Sequence, residues 1–138
     1  MLFNKLTFTD YGVFQGSHTF SFATKPNRPV VLFGGKNGAG KSTILEGIRL
    51  CLYGSGALYP PKSKEAYLNY LDERIHENPN LLIQPTFASV ELEFQYADTA
   101  TLHTYQVTRS WERRSGQKLK ETLEITKDGN PLDDLVAE

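Results

Sequence analysis

The stretch from Gly35 to Thr43, Gly-Lys-Asn-Gly-Ala-Gly-Lys-Ser-Thr, meets every position of the phosphate-binding pattern G-x-x-x-x-G-K-[ST]. Each residue type has a physical task there. Gly35, Gly38 and Gly40 let the backbone curl with its N–H groups inward, a nest for phosphate oxygens, with Lys36, Asn37 and Ala39 completing the loop. Lys41 is expected to reach the β- and γ-phosphates, and Ser42 carries the hydroxyl of a Mg²⁺ ligand. Thr43 adds a hydroxyl and an N–H at the positive end of the helix that follows. The ligand that fits this set is a nucleoside triphosphate with Mg²⁺, and ATP is the expected cofactor.

Such a loop has to be held between a strand and a helix, and the flanks supply both. Val30-Val31-Leu32-Phe33 reads as a strand buried on both faces, ending at Gly34. From Lys41 to Tyr53, Ile44, Ile48 and Leu52 recur every four residues with Leu45 and Cys51 beside them, and Gly54 stands where a helix stops. An ordinary glycine-rich turn between strand and helix is the alternative; motif and flanks together favour nucleotide binding.

Composition sets the bounds. A chain of 138 residues with 39% hydrophobic content forms one globular domain around one core. A formal net charge of -1 provides no global field toward nucleic acid or membrane, so any such contact needs a local patch. The single cysteine, Cys51, falls among Ile48 and Leu52 and is expected in the core. No apolar run approaches the roughly 18 residues of a membrane span, so no membrane partner is expected and a cytoplasmic location is.

Around the loop, Leu2 to Thr9 reads as a strand with Leu2, Leu6 and Phe8 facing inward and Asn4 as an exception. His18 to Phe22 returns antiparallel to it with Phe20 and Phe22 on one face. Ser63 is expected to cap a helix running to about Asn78, with a stripe of Tyr67, Leu68, Leu71 and Ile75. Ala88, Val90, Leu92, Phe94 and Tyr96 alternate with polar residues in the cleanest strand of the chain. It opens an antiparallel meander, about 86–126, with strands at 102–112 and 118–126 and a further turn at Asp128-Gly129. His18, His76 and His103 have no neighbours at metal-ligand spacing and are read as ordinary residues.

Two antiparallel strands thus precede the loop-bearing strand, whereas small P-loop kinases and GTPases carry the motif on their first. This order resembles the ABC-type ATPase heads of the SMC, RecF and RecN group. Phe8-Thr9-Asp10-Tyr11-Gly12-Val13-Phe14, then Val31 through Thr43, then Leu50-Cys51-Leu52-Tyr53-Gly54 look like the N-terminal segment of the DndD family, the ATPases of bacterial DNA phosphorothioation systems. The similarity runs from Met1 to about Asn78. It implies an α/β P-loop NTPase fold, with residues 1–138 as the N-terminal lobe of a head and antiparallel strands flanking the P-loop strand and helix. It also implies ATP and Mg²⁺ as cofactors. The implied partners are a C-terminal lobe of the same protein, a second head joined through ATP, DNA, and other DNA phosphorothioation proteins.

An ATPase of this class needs an acidic pair at the end of a second apolar strand to organise Mg²⁺ and the attacking water. Asp133-Asp134 lacks the preceding apolar run, and Glu91 and Glu93 alternate on a solvated strand face, so none is a good candidate. No Ser-Gly-Gly signature follows. The chain therefore reads as a lobe without catalytic residues, inactive alone and an ATPase only in the complete protein. Two other readings stay open: a head fragment of another SMC/RecF-like DNA-repair ATPase, and a non-hydrolysing, nucleotide-responsive binding module. A small kinase or GTPase is disfavoured because neither N-K-x-D nor D-x-x-G follows the loop. Last, Arg109, Arg113, Arg114, Lys118 and Lys120 gather around Trp111 on the last long hairpin, where they would contact the DNA backbone, or else form a solvated edge with Trp111 in the core.

Overall fold

Strands with one apolar face come together here as one sheet. In the computed structural model of the chain, residues 1–35 and 40–132 are described. The strands are β1 (Leu2–Tyr11), β2 (Phe14–Ser21), β3 (Phe87–Ala97), β4 (Leu102–Glu112), β5 (Lys120–Lys127) and β6 (Asn130–Pro131), with α1 (Lys41–Tyr53) and α2 (Lys64–Glu73) between β2 and β3. The six strands form a single sheet in the order β2-β1-β3-β4-β5-β6, and every neighbouring pair is antiparallel. The expected N-terminal pair and the expected meander are thus one sheet, fused by β1 against β3 with Leu6 opposite Leu92 and Phe8 opposite Val90.

One face carries the core. Leu6, Phe8, Ala88, Val90, Leu92, Phe94, Val107 and Trp111 are buried there, against Ile44, Leu50 and Cys51 of α1 and Tyr67 and Leu71 of α2. Each such large side chain contributes roughly 1.5–3 kcal/mol relative to exposure. The opposite face is polar, with Thr7 bonded to Thr19 and Thr9 to Ser17 across β1 and β2. Gly47 sets how closely α1 approaches the sheet, since a Cβ there would lie 2.5 Å from two ring carbons of Phe8.

Several expectations are corrected. Asn4 is the extra residue of a bulge: the β1–β3 register slips between Phe3 and Lys5, and the Asn4 carbonyl accepts from the N–H of Phe22 instead. The slip reverses the face of everything before it, so Phe3 packs on the core and Leu2 is exposed. On α1, Leu45 is exposed because the buried stripe follows Ile44, Gly47, Leu50 and Cys51. Tyr96, near the end of β3, is half exposed. Helix α2 ends at Glu73 rather than near Asn78: the chain leaves it to bridge Ile75 to Tyr11, with His76 N–H donating to the Asp10 carbonyl at 2.8 Å.

The largest departure is Val30–Phe33. Among the described residues this run pairs with no strand, and Val30 and Leu32 are 71% and 88% exposed. A strand buried on both faces needs ladder partners for its N–H and C=O groups, and the described sheet gives it none. Val31 is half-buried, and Phe33 packs edge-on to Phe20 and Phe22 at 5.9 and 5.6 Å between ring centres.

Candidate functional site

Helix α1 starts as the motif requires. Gly40 is its N-cap in the left-handed region, φ 96°, and a Cβ there would meet the Phe14 ring at 2.7 Å. Backbone sign and packing therefore both call for glycine. A glycine cap has no side chain to satisfy the first-turn N–H groups, and no acidic residue stands in that turn. Lys41 and Ser42 are exposed and Thr43 is half-buried, its N–H on the Gly40 carbonyl at 3.1 Å. The result is a helix end with an unneutralised positive pole, an adjoining ammonium and two hydroxyls, which suits phosphate. Gly35 is exposed on the approach to it. Lys36, Asn37, Gly38 and Ala39 lie outside the described residues, as do Asp133 and Asp134.

One turn further along α1, Glu46 anchors a network that the sequence reading did not find. Its carboxylate accepts from the hydroxyl of Tyr70, and from Nε of Arg74 at 2.7 Å. The Arg74 guanidinium also stacks 3.7 Å above the Tyr70 ring. Burial, then the Glu46 carboxylate, pushes the Tyr70 phenol up to about 12. Burial opposes the charge on Arg74, but Glu46 outweighs it and the net shift is upward. Tyr11 lies buried beside this group with its hydroxyl unpartnered among the described residues, and burial raises its pKa, with Glu46 adding to the effect. Ser42, Glu46, Arg49 and Tyr70 edge a cavity of about 290 Å³ next to the helix start. The strand turn is tied in as well, since Gly12 N–H donates to the Arg74 carbonyl at 2.7 Å. The only sequence cue was Glu46 one turn from Ser42; its partners depend on where α2 docks.

Glu91 and Glu93 are on the polar face of the sheet, opposite α1. Glu91 accepts from Thr108 at 3.3 Å, and Glu93 from Asn4 at 3.1 Å with Lys5 nearby at 3.5 Å. Cys51 is in the core as expected: its thiol donates to the Val107 carbonyl at 3.1 Å, and burial pushes its pKa up to about 12 against a smaller opposing effect of Arg109.

The basic hairpin residues divide. Arg109 is ion-paired with Glu121, which also accepts from Tyr67 at 2.8 Å, and it reaches the Cys51 carbonyl at 3.4 Å in the last turn of α1. It thereby supplies from the sheet the cation that this helix end lacks in its own sequence. Arg113 holds Asp72 of α2 at 2.6 Å, and Trp111 is 1% exposed, edge-on to Tyr11. Arg114, Lys118 and Lys120 are exposed and make no ion pair among the described residues. Of the histidines, His18 and His76 bond backbone carbonyls at 2.7 Å, whereas His103 is held between Asp128 at 2.6 Å and Asp98 at 3.1 Å.

An α/β domain whose first helix follows the sequence Gly-x-x-x-x-Gly-Lys-Ser, with Gly40 giving its N-terminus no side-chain cap, carries the sequence pattern of P-loop NTPases. A family model described as an AAA domain matches residues 5–137, and the chain belongs to that family of ATPase domains. No curated protein matches it. Among the described residues, no helix is long and apolar enough to cross a membrane.

Proposed function

We propose that this chain is the ATP-binding N-terminal lobe of an SMC-like ATPase that acts on DNA, and more specifically in DNA phosphorothioate modification. The observation that carries the nucleotide reading is the start of α1, where Gly40 provides no side-chain cap and Lys41 and Ser42 stand exposed beside first-turn N–H groups. Membership of the AAA domain family supports it. The motif residues Gly35 to Thr43 would cradle the phosphates, Lys41 would neutralise their charge, and Ser42 would ligate Mg²⁺. Bound Mg²⁺ supplies charge neutralisation of the phosphate oxygens; the chain's own part is to bind and orient them.

The order of strand, strand, loop and helix supports the SMC-like reading, and the segments Phe8–Phe14 and Leu50–Gly54, which resemble those of the DndD family, support the phosphorothioation reading. In the complete protein, a C-terminal lobe and a second head would contribute the acidic pair and signature needed for hydrolysis, and the paired heads would engage DNA. Titrating ATP, GTP and ADP with Mg²⁺ into the purified chain, with turnover followed in parallel, tests this. Saturable ATP binding without steady hydrolysis is expected. Preference for GTP, or robust turnover that depends on Lys41, would overturn it.

A further inference from the structure

The N-terminal half of α2 and the β4–β5 turn enclose a groove that the nucleotide site does not use. Two adjoining cavities, of about 560 and 800 Å³, share Lys64, Leu68, Arg114, Gln117, Lys118 and Leu119 as their walls. Lys120 and Leu123 extend the second along β5. The cations sit on the rim, all exposed, while Leu68, Leu119 and Leu123 are half-buried along the floor. Of the acids lining the groove, Asp72 is committed to Arg113 and Glu121 to Arg109 and Tyr67, which leaves Glu65; beside the groove, exposed Glu112 stands cross-strand from Lys120, while Lys64, Arg114 and Lys118 make no ion pair among the described residues.

We propose that this groove docks an acidic amphipathic segment of a partner protein, its carboxylates on Lys64, Arg114, Lys118 and Lys120 and its apolar side chains on Leu68, Leu119 and Leu123. Charge complementarity selects the acidic face, and a floor of three leucines selects the apolar one. A nucleic-acid backbone fits the same place less well. It has phosphates for the rim but nothing for the leucines, and the hairpin's aromatic side chain, Trp111, is buried where no base can stack on it. Arg109 and Arg113 are already neutralised by carboxylates. The proposal is independent of the nucleotide reading.

Fluorescence anisotropy of the purified chain with a panel of labelled peptides tests it. Each peptide spans roughly four helical turns, with glutamates on one face and leucines at spacings of three or four on the other. Saturable binding is expected, weakened about tenfold by R114E/K118E and comparably by raised salt, since rim charges act through screened attraction. Both substituted residues are exposed, so an unchanged Trp111 fluorescence spectrum verifies the fold. Peptides with serine in place of leucine should bind markedly more weakly, and duplex DNA of matched charge should not displace the parent peptides. No saturable binding by any peptide, equal binding of the serine versions, equal binding by R114E/K118E, or displacement by duplex would each overturn the proposal, the last in favour of a nucleic-acid site.

Discussion

Replacing Gly47 by alanine sets two opposing effects against each other, and the structure decides the sign. Gly47 lies inside α1, where alanine is favoured over glycine by roughly 1 kcal/mol from backbone entropy alone. Its added methyl, however, would sit 2.5 Å from Cε1 and Cζ of Phe8 and 3.5 Å from Val90. The Phe8 ring cannot swing away, because it is fully buried and hemmed by Tyr11, Phe14 and Phe20 at 4.8, 5.2 and 6.1 Å between centres. Overpacking a filled core costs about 1–3 kcal/mol, and an enclosed ring places this site in the upper half of that range. The net expectation is a loss of about 1–2 kcal/mol, or about 3–8 °C in Tm for a domain of this size. Gly56→Ala is the control, since its Cβ would meet only Tyr53 at an ordinary 3.7 Å. Thermal denaturation followed by circular dichroism reads both. A Gly47→Ala protein that melts at or above the parent temperature would refute the claim that this glycine fixes the seat of α1 on the sheet.

Cys51 should resist thiol reagents at about pH 8 in the folded protein and react fully once denatured, since burial holds its thiol protonated; rapid labelling of native protein would contradict this. Asp98 and Asp128 are held below the usual carboxylate range, by the backbone N–H of Ala100 and of Thr104 respectively and then by His103. Their contribution should therefore be intact above the unfolded carboxylate value of about 3.9 and fade as pH falls through the lower folded values. Amide exchange at Thr104 checks this: loss of protection already between about pH 5 and 6 would be the wrong sign of shift. A double-mutant cycle on Asp72 and Arg113 should give a coupling of about 0.5–1 kcal/mol, because the pair is partly exposed, and additive single effects would show that it holds nothing in place.

The local elements of this fold were legible where one periodicity dominated. Helix α1 from Lys41 to Tyr53, the Ser63 cap of α2, whose hydroxyl accepts from Ala66 N–H at 3.2 Å, and β4 from Leu102 to Glu112 all lie where pattern and capping chemistry put them. What the sequence could not convey was long-range. The pairing of β1 with β3 joins residues about ninety positions apart, and nothing local specifies it. A bulge at Asn4 is invisible to a period-two count, so Leu2 was assigned the wrong face. At the site, the loop residues are assigned from the motif alone because its chemistry is sequential. The Glu46, Tyr70 and Arg74 network, and Lys64 facing the hairpin cations, arise only from the docking of α2. The run Val30–Phe33 is a related case: its apolar composition demands partners, and no described strand pairs with it.

Isothermal titration of ATP with Mg²⁺ into the parent chain and its Lys41→Ala variant decides whether the start of α1 holds a triphosphate. Lys41 is exposed and makes no ion pair among the described residues, so its loss should leave the Tm unchanged. Removing a charge-assisted contact to phosphate should weaken ATP binding about 10- to 100-fold. Equal affinity of parent and variant, with both folded, would show that Lys41 contacts no phosphate and that the triphosphate does not sit at the start of α1.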